Sequence, residues 1–418
     1  LPAPREARNL LADADRQAAR EPAAMSEITA KLALYASVGN ELMHYDIDVG
    51  EAVLTRRAAV SLPANLQYVW PHALQPFLYA ATSDSASGMG GAGASHHVSA
   101  LRIDTDSGAL SLHGESIPLP TRPIHMATDI PSGHILVAFN NPSAIRVYRV
   151  NRDFTPGAEV TQPNPIDPGI FAHQVRATPD NKQVILVTRG HDPAGPKPEE
   201  PGALMLWDFR DGVLSNQQKV APDGGLGAGY GFGPRHLDFH PTKPWVYVSL
   251  ERENRLDMFT LEGGRLSPRA AFRKNNLSQL GVPGARQAVG TVHVHPNGRY
   301  VYVANRASTV VDVGGRKVFA GGENTLAVYE IDPTTGEPRP IQHVDTHGIH
   351  CRTFHIDPSG KLLVAAHIQG ITLRGGGEVP CCLSLFRVSD DGRLSYVRKY
   401  DIDVSGGRTM WWMGMTSF

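Results

Sequence analysis

Five times along this 418-residue chain an apolar, β-branched run opens near a His or Arg, and the next such run closes on a polar or charged side chain. His125 is followed by Asn140, His173 by Arg189, Arg235 and His236 by Glu251, His293 by Arg306, and Arg352 by His367. These residue types carry definite chemistry. A Glu can act as a general base on water, a His can take or give a proton near neutral pH, and an Arg grips a carboxylate or phosphate through paired hydrogen bonds. Each also has a plain structural use. Glu251 can simply pair with Arg235 or Arg306, the recurring His can bond a neighbouring segment's backbone, and the Arg can tie segments together.

What positions them is a repeat. Its clearest copy runs Pro234-Arg235-His236-Leu237-Asp238-Phe239-His240-Pro241, then Trp245 to Glu251, then Leu256 to Leu261, then Gly263-Gly264-Arg265-Leu266. The frame returns at His293 to Pro296 with Tyr300 to Arg306, and at Arg352 to Pro358 with Leu362 to His367. Earlier copies are placed near His72, His125 and His173. Turns such as Pro131-Ser132-Gly133, Pro179-Asp180-Asn181 and Pro296-Asn297-Gly298 separate the first two runs, with Pro presetting φ and Gly or Asn tolerating positive φ. The runs are too short for helices and rich in strand formers.

Units of about 50–60 residues with four short strands each predict blades of a propeller. Six copies are whole. Leu32 to Ser37 with Leu42 to Asp48 makes a seventh that lacks its start. The fold expected is therefore all-β: one seven-bladed β-propeller of four-stranded antiparallel blades over residues 31–418. Its ring is closed by a C-terminal strand, from the run Met410 to Met415, joining the N-terminal blade. Residues 1–30 read as an extension, Ala/Arg/Glu-rich enough for a short helix, without the apolar stretch of a secretory signal, and with Met25 as a candidate start.

In such a blade the start of strand one and the end of strand two share one rim, so the five paired positions should meet in the central funnel. Gly/Pro-rich insertions after strand two (Ser83 to His97, Gly190 to Gly202, Ala307 to Gly322, Ile368 to Pro380) should overhang that same face as walls or lids.

Composition removes several classes. At 41% hydrophobic and 19% charged residues the chain can bury a large core, and a net charge of −1 offers no basic surface for nucleic acid or membrane. Cys351, Cys381 and Cys382 cannot build a disulfide framework and suggest a reducing, cytoplasmic setting. His96-His97 and His191-Asp192 lack metal-site spacing. The Gly-rich stretch Gly224 to Gly233 does not link a strand to a helix as a phosphate loop would. No metal or cofactor is expected.

The segments Gly233-Pro234-Arg235-His236…Phe239-His240-Pro241, Ser249-Leu250-Glu251, His293…Asn297-Gly298-Arg299-Tyr300 to Arg306, and Arg352-Thr353-Phe354…Asp357-Pro358-Ser359-Gly360-Lys361 resemble the seven-bladed lactonase family, which includes propeller-type 6-phosphogluconolactonases and carboxymuconate cycloisomerases. The resemblance implies His173, Arg235, Glu251 and Arg306 as catalytic residues, and a small anionic lactone or its ring-opened acid as partner. His125, His236, His293, Arg352 and His367 are the further candidates for holding substrate. Thr291, where relatives usually have Glu, and Thr188-Arg189-Gly190, where Leu-Gly is common, depart from the pattern. The expected activity is hydrolysis of a sugar-derived or other anionic lactone. The alternatives are cycloisomerisation of a muconate-type dicarboxylic acid and a non-catalytic binding propeller. Bunching of charge on one rim favours an enzyme, since a scaffold would present an exposed apolar patch instead.

Overall fold

Phe77–Ser83 shows why the chain folds into blades. It is buried along its whole length, yet its side chains alternate between two cores. Leu78 and Ala80 pack against Ala33, Tyr35 and Leu42, while Tyr79 and Ala81 pack against Met126, Ile135 and Val137. A strand apolar on both faces needs a sheet on either side, and repetition of that demand bends seven small sheets into a ring. The structure, a computed structural model, describes residues 31–85, 93–222, 228–278 and 285–418. Residues 1–30, including the expected helix and Met25, the centre of the insertion at Ser83 to His97 and the beginning of the stretch Gly224 to Gly233 lie outside these.

Numbered along the chain, the inner strands are Pro123–Thr128 in blade 3, Ala172–Ala177 in blade 4, Pro234–Phe239 in blade 5, Gln287–Val294 in blade 6 and Cys351–Ile356 in blade 7, with Asn65–Pro71 in blade 2. Each pairs antiparallel with a second strand, and two more follow outward. In blade 5 the outer part is divided between Arg265–Leu266 and Phe272–Asn275. Blade 1 takes its inner strand from the other end of the chain. Met413–Ser417 pairs with Leu32–Val38, from Leu32 opposite Ser417 to Ala36 opposite Met413. The closing strand thus starts three residues later than Met410, and Leu32–Phe418 form one unit.

Buried apolar residues form seven clusters, each spanning two neighbouring blades, so the core is a set of seams rather than one centre. The seam at the closure joins Leu34, Ala36 and Met43 to Leu362, Val364, Leu383 and Met413. A Tyr in the second strand adds a directed link at four seams. The hydroxyls of Tyr35, Tyr79, Tyr247 and Tyr302 donate to the backbone oxygens of Gly108, Phe154, Gly336 and Gly392 in the next blade, at 2.6–3.1 Å.

The inner hairpin turn is built on one recurring position. In blades 2, 5 and 6 it is His72, His240 and His295, whose Nδ1 accepts backbone N–H groups of the turn. Nε2 of His240 and of His295 donates to the Gly298 and Gly360 carbonyls of the following blade. In blade 7 Asp357 does the same work, accepting from Ser359, Lys361 and Leu362. His72 therefore ends its inner hairpin strand rather than starting it. The same slip affects His293. Blade 6 begins its inner strand at Gln287, and His293 sits opposite Tyr302 near the strand's far end.

Candidate active site

At the rim where inner strands begin and second strands end, the ring opens into a cavity of about 740 Å³. Of the paired positions read from the sequence, Asn140, His173, Arg189, Arg235, Glu251, Arg306 and Arg352 line it. The register explains this: Arg306 lies opposite Ala288, close to the start of its blade's inner strand, and Pro234 lies opposite Leu250, one residue before Glu251. Three of the four insertions form walls as expected, through His191 and Asp192, Ser308 and Thr309, and Ile368 and Gln369, while no described residue of the insertion at Ser83 to His97 lines the cavity. Two of them carry short hairpins, Val310–Val313 with Arg316–Phe319 and Ile371–Thr372 with Glu378–Val379.

Glu251 is the centre of the charge arrangement. Its Oε2 lies 3.2 Å from Arg189 Nε and 3.4 Å from Arg235 Nε, and its Oε1 lies 3.2 Å from Arg306. Burial alone would raise its pKa, but Arg306, Arg189, Arg235 and Arg286 outweigh that and hold it at about 2. The carboxylate is ionised at any working pH. Arg189 and Arg286 also reach Asp192, each at 2.9 Å. Six arginines (122, 189, 235, 286, 306 and 352) thus face two carboxylates, Asp192 and Glu251, and the cavity carries a clear positive excess.

Arg352 is stacked 3.7 Å from the Trp411 ring centroid. Burial, with Arg306 and Arg122 nearby, lowers its pKa to about 9. Arg306 donates to Nε2 of His350 at 3.1 Å, and His350 Nδ1 reaches Ser308 Oγ at 2.8 Å. Because a guanidinium only donates, His350 must carry its proton on Nδ1. Burial and the charges of Arg306, Arg352 and Arg235 keep this imidazole neutral. The repeat spacing marks neither His350 nor Trp411 as a site residue, and it brings in Arg189 only as the partner of His173. The signal for His350 was its place two residues before Arg352.

His173 lines the cavity with its Nδ1 buried and unpaired. Burial, then Arg235, Arg352 and Arg306, hold it far below the usual imidazole range, so the ring is neutral. His236 and His125 stand behind it in the channel, His236 at 5.2 Å from His173 and His125 at 5.9 Å from His236, ring centre to ring centre. Both are buried beyond the cavity wall. His367 is turned away. Its Nδ1 donates to the Cys382 carbonyl at 3.0 Å, and burial drops its pKa to about 4. His293 belongs to the opposite mouth of the ring, beside Asp238. Among the described residues no group of three or more His, Cys, Asp or Glu is placed to hold a metal, and no helix is long and apolar enough to cross a membrane. All three cysteines are free and buried.

The model of the family described as "Lactonase, 7-bladed beta-propeller" matches residues 29–373. The chain belongs to that family. With the lactonases named next among its relatives, it is an enzyme of the lactone hydrolases, a class of carboxylic ester hydrolase. A 6-phosphogluconolactonase of Bacillus subtilis is 26% identical over 356 residues, covering 82% of this chain and 89% of the relative. One of Cronobacter sakazakii is 28% identical over 273 residues, covering 64% and 70%. Among solved structures, the periplasmic gluconolactonase of Pseudomonas aeruginosa superimposes with a TM-score of 0.64 at 18% identity, over 88% of this chain and 96% of that one, which speaks for the shared fold. These relatives are lactonases, so the cycloisomerase and binding-propeller alternatives draw no support from them.

Proposed function

We propose that this chain hydrolyses a small anionic lactone in the arginine-lined cavity, with Glu251 as base. The observation that carries the reading is the ionised Glu251 carboxylate held among Arg189, Arg235 and Arg306 in a pocket with positive excess. Arg306 and Arg352 grip the anionic arm of the substrate, and Arg235 faces the carbonyl oxygen as it gains charge. Glu251 takes a proton from water while the water oxygen attacks the carbonyl carbon. The tetrahedral intermediate collapses with cleavage of the ring C–O bond, and the proton held by Glu251 passes to the departing ring oxygen. The new carboxylic acid ionises, so one proton is released per ring opened.

A carboxylate with a pKa of about 2 is a feeble base in the empty site. Substrate changes that. An anion that draws Arg306 towards itself removes the first of the charges depressing Glu251, and its proton affinity rises where it is needed. His173 and His350, both neutral, accept hydrogen bonds rather than protonate the leaving group.

Because the relatives named above include 6-phosphogluconolactonases, a phosphorylated aldonolactone is the first substrate to test. The panel holds aldonolactones with and without phosphate, and muconolactones, followed by proton release, with Glu251→Gln as control. Fast opening of an anionic lactone that the control lacks supports the reading. Turnover of the neutral lactones alone, or none, overturns it.

A further inference from the structure

The mouth opposite the arginine cluster holds a second cavity, of about 320 Å³, where the inner strands end. Its lining sets the aromatic Trp70, Phe354 and Trp412 beside the polar Arg176, Asp238, His293 and His355. None of these residues has a part in the lactone chemistry above.

Asp238 organises the polar group and is itself fully engaged. Its Oδ1 accepts the Phe239 amide at 3.0 Å and meets Arg176 at 3.4 Å. Its Oδ2 accepts the Val294 amide at 2.9 Å and faces His293 Nδ1 at 3.5 Å. Burial would raise its pKa, but His293, Arg176 and the Val294 amide more than offset this and keep it ionised. With Nδ1 turned to the ionised Asp238, the neutral form of His293 has its lone pair on Nε2, and among the described residues no hydrogen bond engages that atom. Arg176 is held flat between Trp70 at 4.9 Å and Phe239 at 5.6 Å, with only NH1 committed to Asp238. His355 adds a buried Nδ1 that finds no hydrogen-bond partner.

The unmet groups therefore define a complement. One planar donor fork asks for a carboxylate, and one outward lone pair asks for a hydroxyl or N–H donor. A dianion would meet repulsion from Asp238, so a single negative charge fits better than a phosphate. The narrow volume and the aromatic side chains ask for a flat body. We propose that this cavity binds a small planar carboxylate bearing a hydroxyl group, with the carboxylate on Arg176, the hydroxyl on His293 Nε2 and the flat body against Trp70, Phe354 and Trp412. The site is distinct from the arginine-lined cavity and does not depend on the lactonase reading.

The probe is 4-hydroxybenzoate, titrated into the full chain by calorimetry and by quenching of tryptophan fluorescence, with benzoate and phenol as comparisons. Saturable binding should appear below about 1 mM, with each comparison compound weaker by about tenfold, the effect of losing one good polar contact. Arg176→Gln should abolish it, and His293→Phe should erase the preference for 4-hydroxybenzoate over benzoate. Arg306→Ala, which alters the other mouth, should leave it unchanged. Thermal unfolding of each variant checks the fold, and Arg176→Lys, which keeps the charge and loses the fork, stands in if Arg176→Gln is not folded. Absence of saturation up to about 10 mM, or loss of binding in Arg306→Ala with retention in Arg176→Gln, overturns the proposal.

Discussion

Replacing Glu251 with Gln removes one charge and keeps the shape. The structure sets what that should cost. The carboxylate lies 3.2–3.4 Å from three arginines and is 14% exposed. Holding it at about 2 instead of its ordinary 4.5 corresponds to roughly 3 kcal/mol of stabilisation at neutral pH, an upper figure for a site open to water. Because the folded value lies below the unfolded one, this contribution is complete above about pH 4.5 and is lost as pH falls towards 2. Glu251→Gln should therefore be less stable than the parent by a few kcal/mol at pH 7, with the difference shrinking below pH 4.5, as read by urea unfolding. Turnover of an anionic lactone should fall by about 10²–10⁴, the usual worth of a general base. The two readouts are independent. A Gln variant that loses stability as stated yet keeps full kcat would show that Glu251 is only a counter-ion, and the base would have to be sought elsewhere in the cavity.

Other expectations follow from the same contacts. Arg306→Ala should raise KM for an anionic lactone by at least about tenfold while its effect on a neutral lactone stays small, measured by steady-state kinetics on the pair. If substrate binding raises the Glu251 pKa, kcat should fall on acidification at a higher pH than kcat/KM, and coincident profiles would contradict that link. Tyr302→Phe removes the hydroxyl bonded to the Gly392 carbonyl at 2.8 Å and should cost about 1 kcal/mol in urea unfolding with activity unchanged. Asp257, fully buried, has its pKa raised to about 6 by burial despite Arg255 and Arg273, so its penalty is absent below about pH 3.8 and grows as pH rises through 6; Asp257→Asn should flatten the stability profile across that window.

Much of the ring was readable because short runs of strand formers recur in one frame and each inner hairpin turns on Pro, Gly or Asn. The shared rim was readable for the same reason: strand direction in a hairpin places Arg235 near Glu251 without any knowledge of contacts. The failures came where one signal served two roles. A His followed by a turn marks the end of an inner strand in His72, His240 and His295, and aligning His72 and His293 with strand starts moved two blades by several residues. His367 was bracketed correctly on the rim, but its side chain rotates towards the Cys382 carbonyl, a choice that spacing does not encode. His350 escaped because it lies on a connection outside the repeat, and Trp411 because its run reads as the ring-closing strand rather than as a cavity wall. The column formed by His173, His236 and His125 was visible only as three separate strand positions; their depth in the channel depends on how the blades converge.

Pairing of Met413–Ser417 with Leu32–Val38 has a thermodynamic consequence of its own. In an open array of repeats the two end units have one neighbour each, so they fray first and unfolding spreads inwards. A closed ring has no end units. Every blade here gives up two seams at once if it opens, and the clasp is the pairing within a blade that joins strands far apart in the chain rather than successive ones. Hydrogen exchange should accordingly report one shared opening free energy for the inner strands of all seven blades, with the amides of Leu32–Val38 and Met413–Ser417 as the gate through which that opening begins.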